Sequence, residues 1–377
     1  MEAAVNSNLA PTLGNKPLQA GGGTFFAEKN LVSDGFVPAA HVDPNLINPW
    51  GVAITPRGPF FVADNGMGVA TTYNRAGTPL KVAGHHAITI ATPQGQTTPA
   101  SPTGEVFNSG RTGFDISSGG KTAPSVLIFV TEDGTISGWN PAVNGGSSIL
   151  KVDNSMGGAG AVYKGAAIGQ TPNGPLLFVA NFRNGTVDVF DRNFKPVNSF
   201  TDPNVPQGFA PFNVAVLDGH LFVTFALQNA EKHDDVAGPG NGFVDEFSLG
   251  GQLLQRVASG GVLNSPWGLA IAPPRFGEFA NDLLIGNFGD GTINAFNPAN
   301  DHFVGTLDNA QGSPLVIGDL WSLTPGVGGN GGDPNKIYFT AGVQAESHGL
   351  FGSLSAIPEP ERPTTAMSSS HSHSLFG

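Results

Sequence analysis

Apolar residues along this chain come in short runs separated by polar turns, and six of those runs lead into the same local pattern. The runs are Phe60-Phe-Val-Ala-Asp64, Leu127-Ile-Phe-Val-Thr131, Leu177-Phe-Val-Ala-Asn181, Leu221-Phe-Val-Thr-Phe225, Leu284-Ile-Gly-Asn287 and Ile337-Tyr-Phe-Thr340. Each is followed by a glycine and, five residues beyond it, a bulky apolar side chain: Gly68 with Tyr73, Gly134 with Trp139, Gly185 with Phe190, Gly242 with Phe247, Gly291 with Phe296 and Gly349 with Leu354. Runs this short suit buried strands and not helices. In Asp133-Gly134, Asn184-Gly185 and Asp290-Gly291 the glycine accepts the positive φ of a tight hairpin. Each copy therefore predicts a strand, a turn and a second strand.

A third element precedes each pair, most visibly as Pro49-Trp-Gly-Val-Ala-Ile54 and Pro266-Trp-Gly-Leu-Ala-Ile271. Pro211-Phe-Asn-Val-Ala-Val216 is a variant, and Gly165-Ala-Ala-Ile168 and Leu320-Trp-Ser-Leu323 are degenerate copies. Small residues alternating with aliphatic ones suit an innermost strand, where sheets converge on an axis. A fourth run follows the hairpin, as in Leu80-Lys-Val82, Ser148-Ile-Leu-Lys-Val152 and Leu253-Leu-Gln-Arg-Val257. Four strands recurring six times, with the hairpin glycines 49 to 66 residues apart, predict an all-β, six-bladed β-propeller of four-stranded blades. The last copy lacks an obvious outer strand after Leu354, and Phe25-Phe-Ala-Glu-Lys-Asn-Leu-Val32 can supply it. This N-terminal strand would close the ring in the last blade and leave no open edge there. Two packed β-sandwiches are the competing architecture, but they have no reason to repeat one hairpin six times.

Composition agrees with turns and strands: 54 glycines and 30 prolines among 377 residues, with 12% charged. The expected organisation is a flexible lead over 1–24, one propeller domain over 25–357 and a disordered Pro/Ser/His tail over 358–377. Cysteine is absent, which removes disulfides and thiol chemistry. No run of apolar residues is long enough for a membrane-spanning helix, and the N-terminus lacks the pattern of a signal peptide. The formal charge of −12, with 17 basic residues spread thinly, argues against nucleic-acid binding and against anionic membranes. Neither a nucleophile-elbow serine motif nor a phosphate-binding loop is present.

The motifs Asn48-Pro-Trp-Gly51, Phe61-Val-Ala-Asp-Asn65, Asn181-Phe-Arg-Asn-Gly185, Ser265-Pro-Trp-Gly268, Gly286-Asn-Phe-Gly-Asp-Gly291 and His348-Gly-Leu-Phe-Gly352 follow Asn30-Leu-Val-Ser-Asp34 in a fixed order. In this order the chain resembles an uncharacterised bacterial family of secreted, propeller-like proteins, over about Asn30 to Ile357. Members of that family often carry a PEP-CTERM sorting tail, and Pro358-Glu-Pro360 looks like the start of one. The resemblance implies the propeller fold and a secreted or extracellular location, with no established activity. The repeats are also similar to NHL-repeat propellers, which leaves binding, scaffolding, lactonase and lyase functions open.

In such a blade the loop into the innermost strand and the turn after the second strand meet at one end, near the axis. Asn48, Trp50, Trp267 and Trp321 approach that face by the first route; Asp64, Asn65, Glu132, Asn181, Arg183, Asn287, Glu346 and His348 approach by the second. The tryptophans, with Asn48 and Arg183, are the candidate ligand-binding set: an indole offers a broad apolar face and one donor. Equally, they are wedges between blades. Asp64, Glu132, Asn181 and Asn287, from four blades, offer the oxygen ligands of a divalent cation such as calcium. Alternatively, these residues only initiate their own hairpins. His348, with Glu346 or Asp319 orienting it, is the candidate catalytic pair. The polar insertion from Gln228 to Asn241 is a candidate lid. Two functions stay open: a propeller binding a carbohydrate, matrix polymer or protein partner on its channel-mouth face, or a metal-assisted hydrolase or lyase of the lactonase type. Sequence leaves the oligomeric state open.

Overall fold

The computed structural model describes residues 24–156 and 160–357. Six antiparallel sheets follow one another around an axis. Blade one is Pro49–Ile54, Phe60–Asp64, Val69–Tyr73 and Ala87–Thr89; blade two is Pro102–Phe107, Leu127–Thr131, Thr135–Trp139 and Ile149–Asp153. Blade three is Tyr163–Thr171, Gly174–Asn181, Thr186–Phe190 and Pro196–Phe200; blade four is Phe209–Leu217, His220–Leu227, Phe243–Phe247 and Leu253–Ser259. Blade five is Pro266–Ile271, Leu283–Asn287, Ile293–Phe296 and Phe303–Thr306. Blade six joins Leu320–Pro325, Ile337–Ala341 and Leu350–Ile357 to the N-terminal strand Phe25–Ser33. The fold is thus the six-bladed propeller that the repeat predicts. Among the described residues no helix is long and apolar enough to cross a membrane.

Closure follows the expected route. Phe25 pairs with Ile357 and Ser33 with Leu350 in an antiparallel ladder interrupted by one bulge. Phe26, fully buried, packs its ring 4.8 Å from Phe276 and 5.8 Å from Phe279 of blade five, so the closing strand is also held from the side. The seam between the last and first blades is aromatic: Phe60 lies 4.5 Å from Tyr338 and 5.1 Å from Phe351. Burial of such rings is the main favourable term in a fold without disulfides.

Two features bring the blades close at the axis. At one matching position in each inner strand, third in every blade but the longer strand of blade four, stands a small or polar residue: Gly51, Gly104, Gly165, Asn213, Gly268 and Ser322. A Cβ on Gly104 would lie 2.7 Å from the Ala166 nitrogen, and one on Gly268 2.9 Å from the Trp321 carbonyl, so the neighbouring backbone excludes a side chain there. Where blade four has Asn213 instead, its Nδ2 donates to the Trp267 carbonyl at 2.7 Å and bridges the same gap.

The hairpin glycines divide by cause. Gly68, Gly134, Gly185 and Gly291 adopt φ of 67°, 82°, 71° and 71°. Gly242 and Gly349 have no such φ; a Cβ there would run into Pro266 and into the Leu46 carbonyl. Three details differ from the sequence reading. The inner strand of blade two, Pro102–Phe107, has no counterpart among the motifs recognised above. The outer strand of blade one is Ala87–Thr89 and not Leu80 to Val82, because residues 74–86 fold back through bridges from Tyr73 to Pro79 and from Val82 to His85. Blade two also carries an inserted hairpin, Asp115–Ser118 with Lys121–Pro124. Of the lead expected over 1–24 only Thr24 is described, bonded to Glu278; the sorting-tail motif and the tail expected over 358–377 lie outside the described residues.

Candidate functional site

Every inner strand is bulged against its neighbour at its mouth end, between Pro49 and Val52 in blade one and at the matching place in the other five. A bulge bends the strand and re-aims the side chains next to it. The residue just before that small or polar position is Trp50, Thr103, Lys164, Phe212, Trp267 and Trp321 in blade order. Trp50, Phe212, Trp267 and Trp321, with Phe182 and Phe288, form one aromatic cluster at the mouth of the channel. Trp50 stacks on Trp321 at 3.5 Å between centroids, and Trp267 stands edge-on to both, at 6.2 and 5.8 Å. The three indoles are 1–4% exposed. They form a floor, as the wedge reading holds, and present no open face for a ligand to stack on.

Lys164 completes that floor. Its side chain is 1% exposed, its ammonium lies 4.8 Å from the Trp50 ring centroid, and it pairs with Glu132 and, at 3.8 Å, with Asp234. A buried ammonium needs such partners, since burial without them would be costly. Above it Asn65 Nδ2 donates to the second Glu132 oxygen at 2.9 Å, and Asn48 Nδ2 donates to Glu346 Oε2 at 2.7 Å. Asn48 Oδ1 accepts the Trp321 indole N–H at 3.0 Å and so ties the rim to the floor. The polar insertion of blade four reaches the same place: Glu132, His233 and Asp234 each bring a ligand-type atom within 4.8 Å of the others.

The charges there are not independent. Burial pushes the Glu346 carboxyl up to about 7; the Asn48 hydrogen bond and Lys164 oppose that shift, while Glu132 and Asp235 add to it. Asp235 is likewise raised by burial. His233 is raised, first by its hydrogen bond to Asp234, and Asp234 is correspondingly lowered. Acids outnumber bases, so protons supply part of the neutralisation. The chain also holds Glu346 in a strained turn, because Gln344, Ala345 and Glu346 all have left-handed φ, 62°, 52° and 63°. Three successive non-glycine residues in that region cost energy, and such strain clusters at functional sites. Ala345 N–H donates to Asp319 Oδ2 at 2.9 Å, which braces the turn.

Of the four expected cation ligands, the structure brings only Glu132 into this cluster. Asp64 is buried in its own hairpin, where Oδ2 accepts from the Thr71 N–H at 3.1 Å and desolvation raises its pKa. Asn181 donates to Asp188 at 2.8 Å within its own hairpin, and Asn287 to the Val262 carbonyl at 2.7 Å in the loop that enters blade five. His348 is oriented by neither Glu346 nor Asp319: its Nδ1 lies 2.6 Å from Asp34 Oδ2, and Phe36 stacks on its ring at 4.0 Å. Arg183 lies in the turn after Asn181, and its carbonyl receives the Gln228 amide at 3.5 Å.

Relatives of similar length occur in a giant virus. The chain is 34% identical to "uncharacterized protein L690" of Acanthamoeba polyphaga mimivirus, over 86% of this chain and 84% of that protein. It is 33% identical to "uncharacterized protein R648" of the same virus, over 86% and 78%. The chain belongs to this family. No family model matches it. The relatives found are viral, whereas the motif resemblance points to secreted bacterial propellers. Among solved structures, one titled "Streptogramin B lyase structure" superposes with a TM-score of 0.52 at 12% identity, covering 89% of this chain and 98% of that one. At that identity the likeness carries the fold alone.

Lys164, His233, Asp234 and Asp235 escaped the sequence reading of site residues. The repeat holds a signal for one of them: aligning Tyr163-Lys-Gly-Ala-Ala-Ile168 on Pro49-Trp-Gly-Val-Ala-Ile54 places a lysine where this family member elsewhere has an indole.

Proposed function

We propose that the protein is a binding propeller whose channel mouth takes a partner presenting a cationic or hydroxyl-rich group. A basic side chain of a protein, an amino sugar of a matrix polymer and a neutral glycan all fall in that class. One observation carries the reading: Asn48, Asn65, Glu132, Lys164, Asp234 and Glu346, from five blades, form one connected polar surface over a sealed aromatic floor. Carboxylates and amides are the groups that hydrogen-bond cations and hydroxyls, and the surplus of acids favours a cation. A secreted or extracellular location belongs to the same proposal and is supported by the motif resemblance; finding the protein in the cytosolic fraction of its host would remove it. The test is retention on immobilised polylysine, chitosan and dextran, comparing the unmodified protein with Glu132→Gln/Asp234→Asn. Retention lost in the variant supports the reading, and equal behaviour of the two proteins on all three matrices removes it.

A second reading is metal-assisted hydrolysis or elimination, favoured by the proximity of Glu132, His233 and Asp234. Lys164 already neutralises two of these groups, so a divalent ion has to displace its ammonium. Thermal melting with zinc, manganese or calcium decides: a cation that binds the folded state raises the transition. No rise with any of the three, or an equal rise in His233→Ala, sinks the metal reading.

A further inference from the structure

Blade two departs from the other five by the insertion between its first and second strands, and a pocket lies at the root of that insertion. A cavity of about 410 Å³ is lined by Thr55 of blade one and by Phe107, Arg111, Pro124, Val126 and Asn140 of blade two, with Ser125. It sits where inner strands end and second strands begin, on the face opposite the mouth. The volume falls within the range of small-molecule sites, about 300–1,000 Å³.

Most polar groups on its wall are already committed. Asn140 Nδ2 donates to the Pro124 carbonyl at 2.7 Å, and Asn140 Oδ1 accepts from Ala142 N–H at 2.8 Å. Ser125 Oγ donates to the Phe114 carbonyl at 2.6 Å. Arg111 is different. It is exposed, its backbone is left-handed with φ 50°, and none of the ion pairs among the described residues involves it. No acid lines the pocket, although the chain carries a formal charge of −12. Arg111, outside every ion pair of the described residues, is thus the one charged residue on a lining it shares with the apolar Phe107, Pro124 and Val126.

We propose that this pocket binds a small monocarboxylate with an apolar body. A guanidinium meets a carboxylate through two parallel hydrogen bonds, which fixes the ligand's orientation. The apolar walls then remove the ligand's carbon surface from water. A hydrated inorganic anion leaves those walls unused, and a polyanion finds only one cation. The site is separate from the channel mouth and does not depend on what binds there.

Calorimetric titration of the full-length protein with benzoate tests the proposal, with benzamide as the neutral isostere. The expected result is benzoate binding at least about ten-fold tighter than benzamide, an advantage lost in Arg111→Asn and partly kept in Arg111→Lys. Asparagine tolerates left-handed φ, so the variant keeps the local backbone. Glu132→Gln, at the mouth, leaves benzoate affinity unchanged. Three results overturn the proposal: no benzoate binding at any concentration up to its solubility, equal affinity for benzoate and benzamide, or unchanged benzoate affinity in Arg111→Asn.

Discussion

Blades five, six and one enter the axial ring through strained residues and deliver tryptophan, whereas blades two, three and four enter without that strain and deliver threonine, lysine and phenylalanine. Asn48, Ser265 and Asp319, each two residues before a tryptophan, have φ of 46°, 48° and 53°. Ser101, Val162 and Ala210, at the matching positions, have no left-handed φ. Asn48 and Ser265 also precede proline, which disfavours such a backbone further. The strain, of order 1–3 kcal/mol per residue, is offset where a wide ring finds close partners. One repeated bulge thus serves packing on one side of the axis. On the other it leaves room for a buried ammonium and the acids that gather over it.

The strongest way to break this contrast is Trp321→Ala. If the indole half is structural, the loss is about 3–5 kcal/mol in chemical denaturation; a cost under about 1 kcal/mol would show the rings to be dispensable. On the other half, Lys164→Met leaves Glu132 partly buried without its partner, at a cost of about 3 kcal/mol. Adding Glu132→Gln should recover most of it, and simple additivity of the two changes would deny that they act as a pair.

A smaller effect sharpens the picture at the junction of the halves. Although its turn is exposed, the Glu346 carboxyl turns in to Asn48 and titrates near 7, above its ordinary 4.5. The folded state therefore keeps a proton that the unfolded chain releases, so this group's contribution is full below about 4.5 and is lost as pH rises through about 7. Glu346→Gln has no such slope: relative to the unmodified protein, its melting temperature should rise between pH 5 and pH 8. Parallel curves would place the raised carboxyl elsewhere. The smallest effect is expected for Thr340→Val, which removes the bond from Thr340 Oγ1 to the Trp50 carbonyl, 2.6 Å long. Its cost is about 1 kcal/mol, read from the denaturation midpoint.

The architecture is legible in the sequence because a hairpin is a local object: its turn, its two strands and its apolar period lie within about twenty residues. Blade two escaped at its inner strand because Thr103 and Glu105 stand where blades one, four, five and six carry bulky apolar residues. The site is less legible for a geometric reason. Glu132 of blade two meets Asp234 of blade four with blade three between them, and His348 meets an aspartate at the far end of the chain, Asp34. Only the order of blades around the axis, and the loop that blade four throws over it, bring such partners together. The expectation of a cation ring treated Asp64, Asn181 and Asn287 as equivalent to Glu132, yet their side chains bond within or beside their own hairpins. Glutamate, one methylene longer, reaches past its turn to the axis.

The seam that shuts the ring carries a mechanical consequence. Phe25 and Ile357 are opposite one another at the same end of an antiparallel pair. A tug that draws those two residues apart loads the ladder one rung at a time, as a zipper is opened, and not all rungs together, as in sliding. Each rung then yields at low force, until blade six has lost its outermost strand, while side-chain packing, such as that of Phe60 on Tyr338 and Phe351, still joins it to blade one.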